Sequence, residues 1–412
     1  MKPSLLHRRS FIRQTTLTGA AAITALSASR VYGANGKIRL GFIGCGGRGR
    51  QSIAWFSKLP DVEIAAVCDV DSNTLATALT RVKETNPAVI GHTDQRKILD
   101  DPNIDAVVIS NCNHWHALSA IWACQAGKDV YVEKPVSWSV AEGRLIVDAA
   151  RKYDRIVQGG TQQRSDPFQA QLRKFLHDDK TIGDIKWVRL NRYGMRSSIG
   201  KRATALEIPD TVDYNLWLGP AADQPIMRNK LHYDWHWDFN TGSGELGYWG
   251  PHIADDLRNV VFQDKIAYPK RVISGGGRIG WNDAGDTPNT HFTYFDTGSI
   301  PVIMDVHNLP RSKAVKANDV YMARRTGAFL VIECEGGYYA GSRGGGTAYD
   351  KDRQKIAQFK GDAGGQHARN FIDAIQNGAQ AAAPIEYAHR SITIAHLANI
   401  GLRLHRGKLR WD

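Results

Sequence analysis

The stretch KIRLGFIGCGGRGRQSIAWF (37–56) constrains the fold more than any other part of the chain. An apolar run from Ile38 to Ile43 breaks into a loop holding Gly44, Gly46 and Gly49 in G-x-G-x-x-G spacing, and a helical pattern follows at once. Glycines let a backbone turn this tightly and approach a diphosphate closely, with the start of the next helix aimed at the anion. The spacing predicts the strand–turn–helix unit of a dinucleotide-binding fold, with Gly44, Cys45, Gly46, Arg48 and Gly49 as cofactor contacts. A second apolar run in VEIAAVCDVD ends at Asp69, about 20 residues on, where a carboxylate can bind the hydroxyls of an adenosine ribose. Such a carboxylate repels a 2′-phosphate, so the expected cofactor is NAD rather than NADP.

Strand and helix patterns go on alternating. NIDAVVISNCNHWH reads as a buried strand leaving into a polar loop, HALSAIWACQAGK as a helix closed by Gly127, and DVYV as a strand. SVAEGRLIVDAARKY then reads as a helix and RIVQGGTQQ as a strand. This alternation implies a parallel sheet with ligands beyond the carboxyl ends of its strands. Asn111 and His116 follow one such end, and Glu133 and Lys134 follow the next, so all four are expected to meet the cofactor. Lysine is seldom buried unpaired, and Pro135 biases Lys134 towards extended backbone, which holds an ammonium at the mouth of the sheet. His114 and His116 invite a metal, but no third ligand stands near them in the sequence and none is expected.

In this order, the glycine loop, Asp69, NHWHALSAIWACQAGKDVYVEKP and GGTQQRS closely resemble the Gfo/Idh/MocA oxidoreductases, across essentially everything beyond the first 33 residues. The resemblance implies an N-terminal Rossmann domain and a C-terminal α+β domain. It also implies that the lysine of an E-K-P motif, here Lys134 between Glu133 and Pro135, reaches both the nicotinamide and the reacting hydroxyl, with a Lys–Pro bond that is sometimes cis. The chain departs from the family at Asn111-Cys112, where many members carry Thr-Pro.

From Thr161 the pattern changes. PFQAQLRKFLHD reads as a helix, and DIKWVRLNRYG, RVISGGGRIGW, NTHFTYFD, PVIMDVHNL, GAFLVIECEGG and YYAG read as strands. Turns at 296–298 and 335–337 suggest a large, open, mostly antiparallel sheet. Residues 36–160 then form the first domain and 161–385 the second, with a helix in 386–412 packing back on the first. As in the family, the open sheet face is expected to cover a partner subunit in a homo-dimer or homo-tetramer. A helix from Gly250 would place His252 and Asp255 on one face. The resemblance makes His252 the base that takes the substrate proton, with Asp255 beside it, although Tyr248 stands where some dehydrogenase members have an aspartate. Tyr193, Trp235, Tyr248 and Trp249 are expected to touch substrate, since aromatic faces suit the C–H surfaces of sugar rings. His232 and His236 stay open as further contacts.

The first 33 residues stand apart from this fold. HRRSFIR, followed by the mild apolar run Leu17 to Leu26, resembles a twin-arginine export signal cleaved after Gly33. The run is too short to span a bilayer. Of the formal +12 charge, five positive charges (Lys2, Arg8, Arg9, Arg13, Arg30) lie here with no acid, and the rest is spread along the chain. Neither a nucleic-acid surface nor a membrane contact after export is expected. Five cysteines (45, 68, 112, 124 and 334) without a C-x-x-C pattern imply no disulfide framework. The expected activity is periplasmic or secreted oxidation of a sugar or cyclitol hydroxyl by a tightly bound, recycled NAD. Redox-neutral glycoside cleavage through transient oxidation is the alternative, and a non-catalytic NAD-loaded sugar-binding protein is a third reading.

Overall fold

The structure is a computed structural model that describes residues 36–310, 329–404 and 408–411. The segment expected to be an export signal lies outside them. Unbroken apolar runs build the first sheet from β1 (Ile38–Ile43), β2 (Val62–Cys68), β3 (Ile90–His92), β4 (Ala106–Ile109), β5 (Asp129–Val132) and β6 (Val157–Gly159). The central strands are buried at nearly every position, as strands covered on both faces must be. All six run parallel in the order β3-β2-β1-β4-β5-β6. The order reverses between β1 and β4, and a reversal of this kind opens a crevice outside the strand ends.

Local chemistry sets where the helices begin. Ser139 and Glu142 form a reciprocal capping box at helix Val140–Lys152, and Asp71 caps Ser72–Lys83. At helices Gly47–Phe56 and Asn113–Gln125 the N-cap residues, Gly46 and Cys112, give no side-chain hydrogen bond to the N–H groups of the first turn. The second of these starts at Asn113. Asn113, His114 and Trp115 thus form its first turn rather than the expected polar loop.

The second domain holds β7 (Ile185–Tyr193), β8 (Arg271–Gly277), β9 (Thr290–Asp296), β10 (Val302–His307), β11 (Leu330–Cys334), β12 (Gly337–Ser342), β13 (Gly345–Asp350), β14 (Lys355–Lys360) and β15 (Leu409–Arg410). They pair as β14-β13-β12-β11-β7-β10-β9-β8-β15. β7 and β10 are parallel, and every other neighbouring pair is antiparallel. The expected fold class is therefore the observed one. β13 and β14 went unforeseen, because GGTAYD and KIAQFK lack a dense apolar pattern.

One apolar core runs from the helices of the first domain to the inner face of the large sheet, where Val188, Leu190, Val302, Met304 and Ile332 are buried. Helix Ile385–Arg403 lies along this seam, packed on Val140–Lys152, Gly250–Asp256 and β8. It touches both domains rather than the first alone. A second crossing was not foreseen. Helix His367–Asn377 lies within the stretch assigned to the second domain, yet it buries Ala368, Phe371, Ile372 and Ile375 against Phe56 and Tyr131 of the first. Those four residues fall on one helical stripe (i, i+3, i+4, i+7).

Candidate active site

A cleft of about 740 Å³ opens over the strand ends at the switch point. Its floor comes from the glycine loop, Asp69, Asn111 and the Glu133–Lys134 corner, and its far wall from Tyr233, Trp235, His236 and Tyr248. Two glycines of the loop are sterically required. Gly44 has φ +84°, and a Cβ there would meet the Asn111 backbone nitrogen at 2.4 Å; at Gly49 it would meet the Gly44 carbonyl oxygen at 2.0 Å. At Gly46 and Gly47 a Cβ would meet nothing within 4 Å, so the outer edge of the loop is open to the cleft. That open edge, followed by a helix without a side-chain cap, fits the diphosphate of a dinucleotide.

Asp69 sits at the end of β2 with both oxygens held by backbone donors, the Cys45 N–H at 2.7 Å and the Asp71 N–H at 3.0 Å. Burial pushes its pKa up, and these two hydrogen bonds oppose that shift. The carboxylate thus shapes the loop and also lines the cleft. Asp69→Ala is expected to weaken NAD binding and to relax discrimination against NADP. Dissociation constants for both cofactors check this, and an unchanged ratio would remove Asp69 from the ribose site.

The Glu133–Lys134 corner is built with equal care. Glu133 is buried, accepts a hydrogen bond from Gln162 Nε2 at 2.8 Å and pairs with Arg48 Nε at 3.7 Å. The Lys134–Pro135 peptide is cis. His116, expected to touch cofactor, places Nδ1 2.6 Å from the Pro135 carbonyl and Nε2 3.0 Å from the Asn111 carbonyl, so its ring ties the corner to the Asn111 loop from the cleft wall. Lys134 Nζ donates to the Tyr248 carbonyl at 2.7 Å and lies 4.2 Å from the centroid of the Tyr248 ring. Burial pulls its pKa down to about 7 against the pull of Glu133, and Arg48 adds to the decrease. Both protonation states are therefore within reach near neutrality.

Several other expected residues are placed elsewhere. Asp255 is not a partner of His252. Its carboxylate accepts from Arg164 Nε at 2.7 Å and from Ser391 Oγ at 2.6 Å, in a buried cluster away from the cleft. His252 is buried behind the cleft wall, and among the described residues its Nδ1 has no hydrogen-bond partner. Burial, reinforced by the charges of Lys134 and Arg343, holds its pKa well below the ordinary histidine value. Trp249 also turns away, packing on Phe329 and under the Arg192 guanidinium at 4.4 Å. Tyr193 hydrogen-bonds Asp305 on the sheet, with Arg189 bridging the two, and does not line the cleft. Cys45 contributes its backbone N–H, and its side chain is buried. Trp235 and Tyr248 do line the cleft, joined by Tyr233, His232, Trp115 and His236. His232 Nε2 pairs with Asp71 at 2.9 Å. Among the described residues, no three His, Cys, Asp or Glu side chains are grouped to hold a metal ion.

Residues 38–161 match the model of an oxidoreductase family with an NAD-binding Rossmann fold, and residues 195–322 match that of the same family's C-terminal α/β domain. The chain belongs to the Gfo/Idh/MocA oxidoreductase family. It is 32% identical over 171 residues to a glycosyl hydrolase family 109 protein of Shewanella baltica, and equally to an alpha-N-acetylgalactosaminidase of Shewanella oneidensis. Each alignment covers 36% of this chain and 37% of the relative, so the chain spans little more than a third of the length of these relatives. Among solved structures, the WlbA dehydrogenase of Bordetella pertussis in complex with NADH and UDP-GlcNAcA superposes with a TM-score of 0.66 at 16% identity, covering 91% of this chain and 99% of that one. An NAD-binding protein of Listeria innocua gives 0.65 at 17%, covering 91% and 97%. At these identities the likeness is one of fold.

Proposed function

We propose that this Gfo/Idh/MocA protein is an NAD-dependent oxidoreductase acting on a hydroxyl of a sugar or cyclitol, with the cofactor held tightly and recycled on the protein. The observation that carries the reading is Lys134, a half-buried cation between an anion-binding glycine loop and an aromatic wall, with a pKa drawn to about 7. NAD, when bound, supplies the hydride acceptor. The chain's own groups do the rest: the Gly44–Gly49 loop and the start of helix Gly47–Phe56 hold the diphosphate, and Asp69 holds the ribose. Lys134 orients the substrate hydroxyl by donating to its oxygen, the hydroxyl proton leaves to solvent through the open mouth of the cleft, and Tyr248 and Trp235 cover the substrate.

The similarity to glycosyl hydrolase family 109 proteins favours a second reading, in which transient oxidation assists glycoside cleavage with no net change in cofactor. A panel of free sugars, cyclitols and aryl glycosides separates the two, with nicotinamide absorbance followed beside product analysis. Net reduction of added NAD supports the dehydrogenase, and cleavage without net reduction supports the hydrolase. If every panel member is left untouched, both give way to a sugar-binding role.

The HRRSFIR segment supports export of the folded chain by the twin-arginine route to the periplasm. Outside the cytoplasm, free NAD is too dilute to fill a site of ordinary micromolar affinity. Protein purified without added cofactor is therefore expected to release close to one equivalent of NAD or NADH on acid quench, read by mass spectrometry. Cofactor-free protein that works only with added NAD would overturn the recycled-cofactor reading. Exposed Ile273 and Phe292 on the outer face of the large sheet support that face as a homo-oligomer interface.

A further inference from the structure

The wall facing the glycine loop is built around a strained residue. Tyr233 has φ 65° and ψ −49°, outside the regions that a bulky side chain ordinarily adopts. Strain of this kind persists only where the surroundings over-determine it, and it gathers at functional sites. Its local consequence is a carbonyl aimed at His236, since Tyr233 O accepts Nδ1–H of that ring at 2.6 Å and its backbone N–H at 3.2 Å. A carbonyl can only accept, so Nδ1 carries the proton, and in the neutral ring Nε2 is left as an acceptor.

The His236 ring is half-buried in the cleft wall, stacked on Trp235 at 3.6 Å and perpendicular to Tyr248 at 4.9 Å. No group among the described residues donates to its Nε2. Burial, with Lys134 and Arg196 close by, pushes its pKa down to about 3 against the pull of the Tyr233 carbonyl, which keeps the ring neutral at working pH. Arg196 steadies the wall: it donates to the Tyr233 hydroxyl at 3.0 Å, lies over the Tyr248 ring at 4.9 Å and is anchored on buried Glu245. Tyr248 is the common neighbour of two opposite functions. Lys134, over its face, is a charged donor, and His236, against the same ring, is a fixed acceptor. One donor and one acceptor set about one aromatic ring match a pair of neighbouring hydroxyls, each of which can give and take a hydrogen bond.

We propose that His236 is a specificity-determining residue of this site, its Nε2 accepting a hydrogen bond from one hydroxyl of a vicinal diol whose neighbouring oxygen accepts from Lys134. The selected substrate is a ring polyol with two adjacent free hydroxyls. An analogue lacking or capping the hydroxyl that faces His236 leaves Nε2 buried without a donor and is rejected. This rests on the oxidoreductase reading above, and the test separates the two.

The full chain and its variants His236→Phe and His236→Gln are assayed on myo-inositol, glucose, N-acetylgalactosamine and their aryl glycosides, together with the matching monodeoxy and mono-O-methyl analogues. Phenylalanine keeps the stack on Trp235 and removes the acceptor, whereas the glutamine carbonyl restores one. On the best substrate, His236→Phe is expected to lose on the order of 10²-fold in kcat/KM and to lose most of the preference for that substrate over its deoxy analogue. His236→Gln is expected to recover much of both, and NADH affinity, read by quenching of tryptophan fluorescence, is expected to be unchanged in both variants. If His236→Phe keeps both rate and preference, the assignment is overturned. It is equally overturned if both variants lose NADH affinity and rate together, because His236 would then be structural. A wild-type chain inactive on every panel member overturns the oxidoreductase reading itself.

Discussion

Lys134→Met is expected to give a folded, NAD-binding protein that has lost turnover by on the order of 10² to 10⁴-fold and is more stable than its parent at neutral pH. The loss follows from position: the ammonium is a charged donor on the cleft floor, held over the Tyr248 ring. The gain follows from linkage. In the folded chain Lys134 has a pKa of about 7, against an ordinary value of 10.5. Between those two values the unfolded chain binds more protons, so stability rises with pH through that window. The penalty of burying the cation is complete below the lower value and absent above the upper one. Methionine keeps a straight apolar stem against the Tyr248 ring and removes the charge. With solvent reaching a half-buried site, the gain is about 2 kcal/mol rather than the larger figure a full shift would suggest. Urea midpoints measured on either side of neutrality check it: the variant's advantage should shrink as pH rises. In the parent, kcat/KM should fall as pH rises through Lys134's pKa, since the amine no longer donates to the substrate oxygen as a cation. Near-normal turnover in the variant would leave Lys134 a structural role.

Much of the first domain was legible because its chemistry is local. G-x-G-x-x-G, the strand-ending Asp69 and the E-K-P corner each place function within a few residues of the element that presents it, and the structure gathers all three around one cleft. The second domain was less legible for a physical reason. Its wall comes from an irregular stretch between β7 and helix Gly244–Tyr248, where no periodicity reports which side chains turn inwards. Trp235 and Tyr248 line the cleft while Trp249, one residue further, turns to Phe329 and Arg192. His236 was visible as a residue, but its role depends on the backbone of Tyr233, which composition does not reveal. Tyr193 lies on a strand whose register points it at Asp305 of a neighbouring strand, a long-range pairing invisible in one sequence. Helix His367–Asn377 carries a plain apolar stripe, but the stripe does not say which domain it covers.

Asp255 is the clearest case, and Arg164 is the residue that settles its role. The helical spacing of His252 and Asp255 is real, yet a helix turn also presents side chains to the opposite neighbour. Arg164, 4% exposed, joins Asp255 to Asp264, binding Asp264 through two nitrogens at 2.8 and 2.9 Å. Burial works against its charge, but Asp255 and Asp264 together hold its pKa above the ordinary arginine value. Fully buried Arg258 pairs with Asp264 at 3.2 Å and donates to the Tyr387 carbonyl at 2.9 Å, which ties helix Ile385–Arg403 into the cluster. Arg164→Leu is expected to destabilise the chain by about 3–5 kcal/mol, because Asp255 would remain buried with Ser391 as its one remaining hydrogen-bond donor among the described residues. The pH dependence has a definite sign. In the parent, burial acts against Asp264 but Arg164 outweighs it and holds its pKa down, so its contribution is present above the unfolded carboxylate pKa and is lost as pH falls through the folded one. In the variant Arg164 no longer holds the Asp264 pKa down, so less of that contribution is left to lose on acidification. The gap between the two proteins should therefore narrow as pH falls. Chemical denaturation across the acid range checks it, and a loss under about 1 kcal/mol, or a gap that ignores pH, would count against a buried ion-pair cluster. Adding Asp255→Asn to Arg164→Leu removes the stranded charge while keeping an acceptor for Ser391. Recovery of stability and turnover together in that double variant would mark Asp255 as a strut of the domain seam and leave proton handling to the groups that face the cleft.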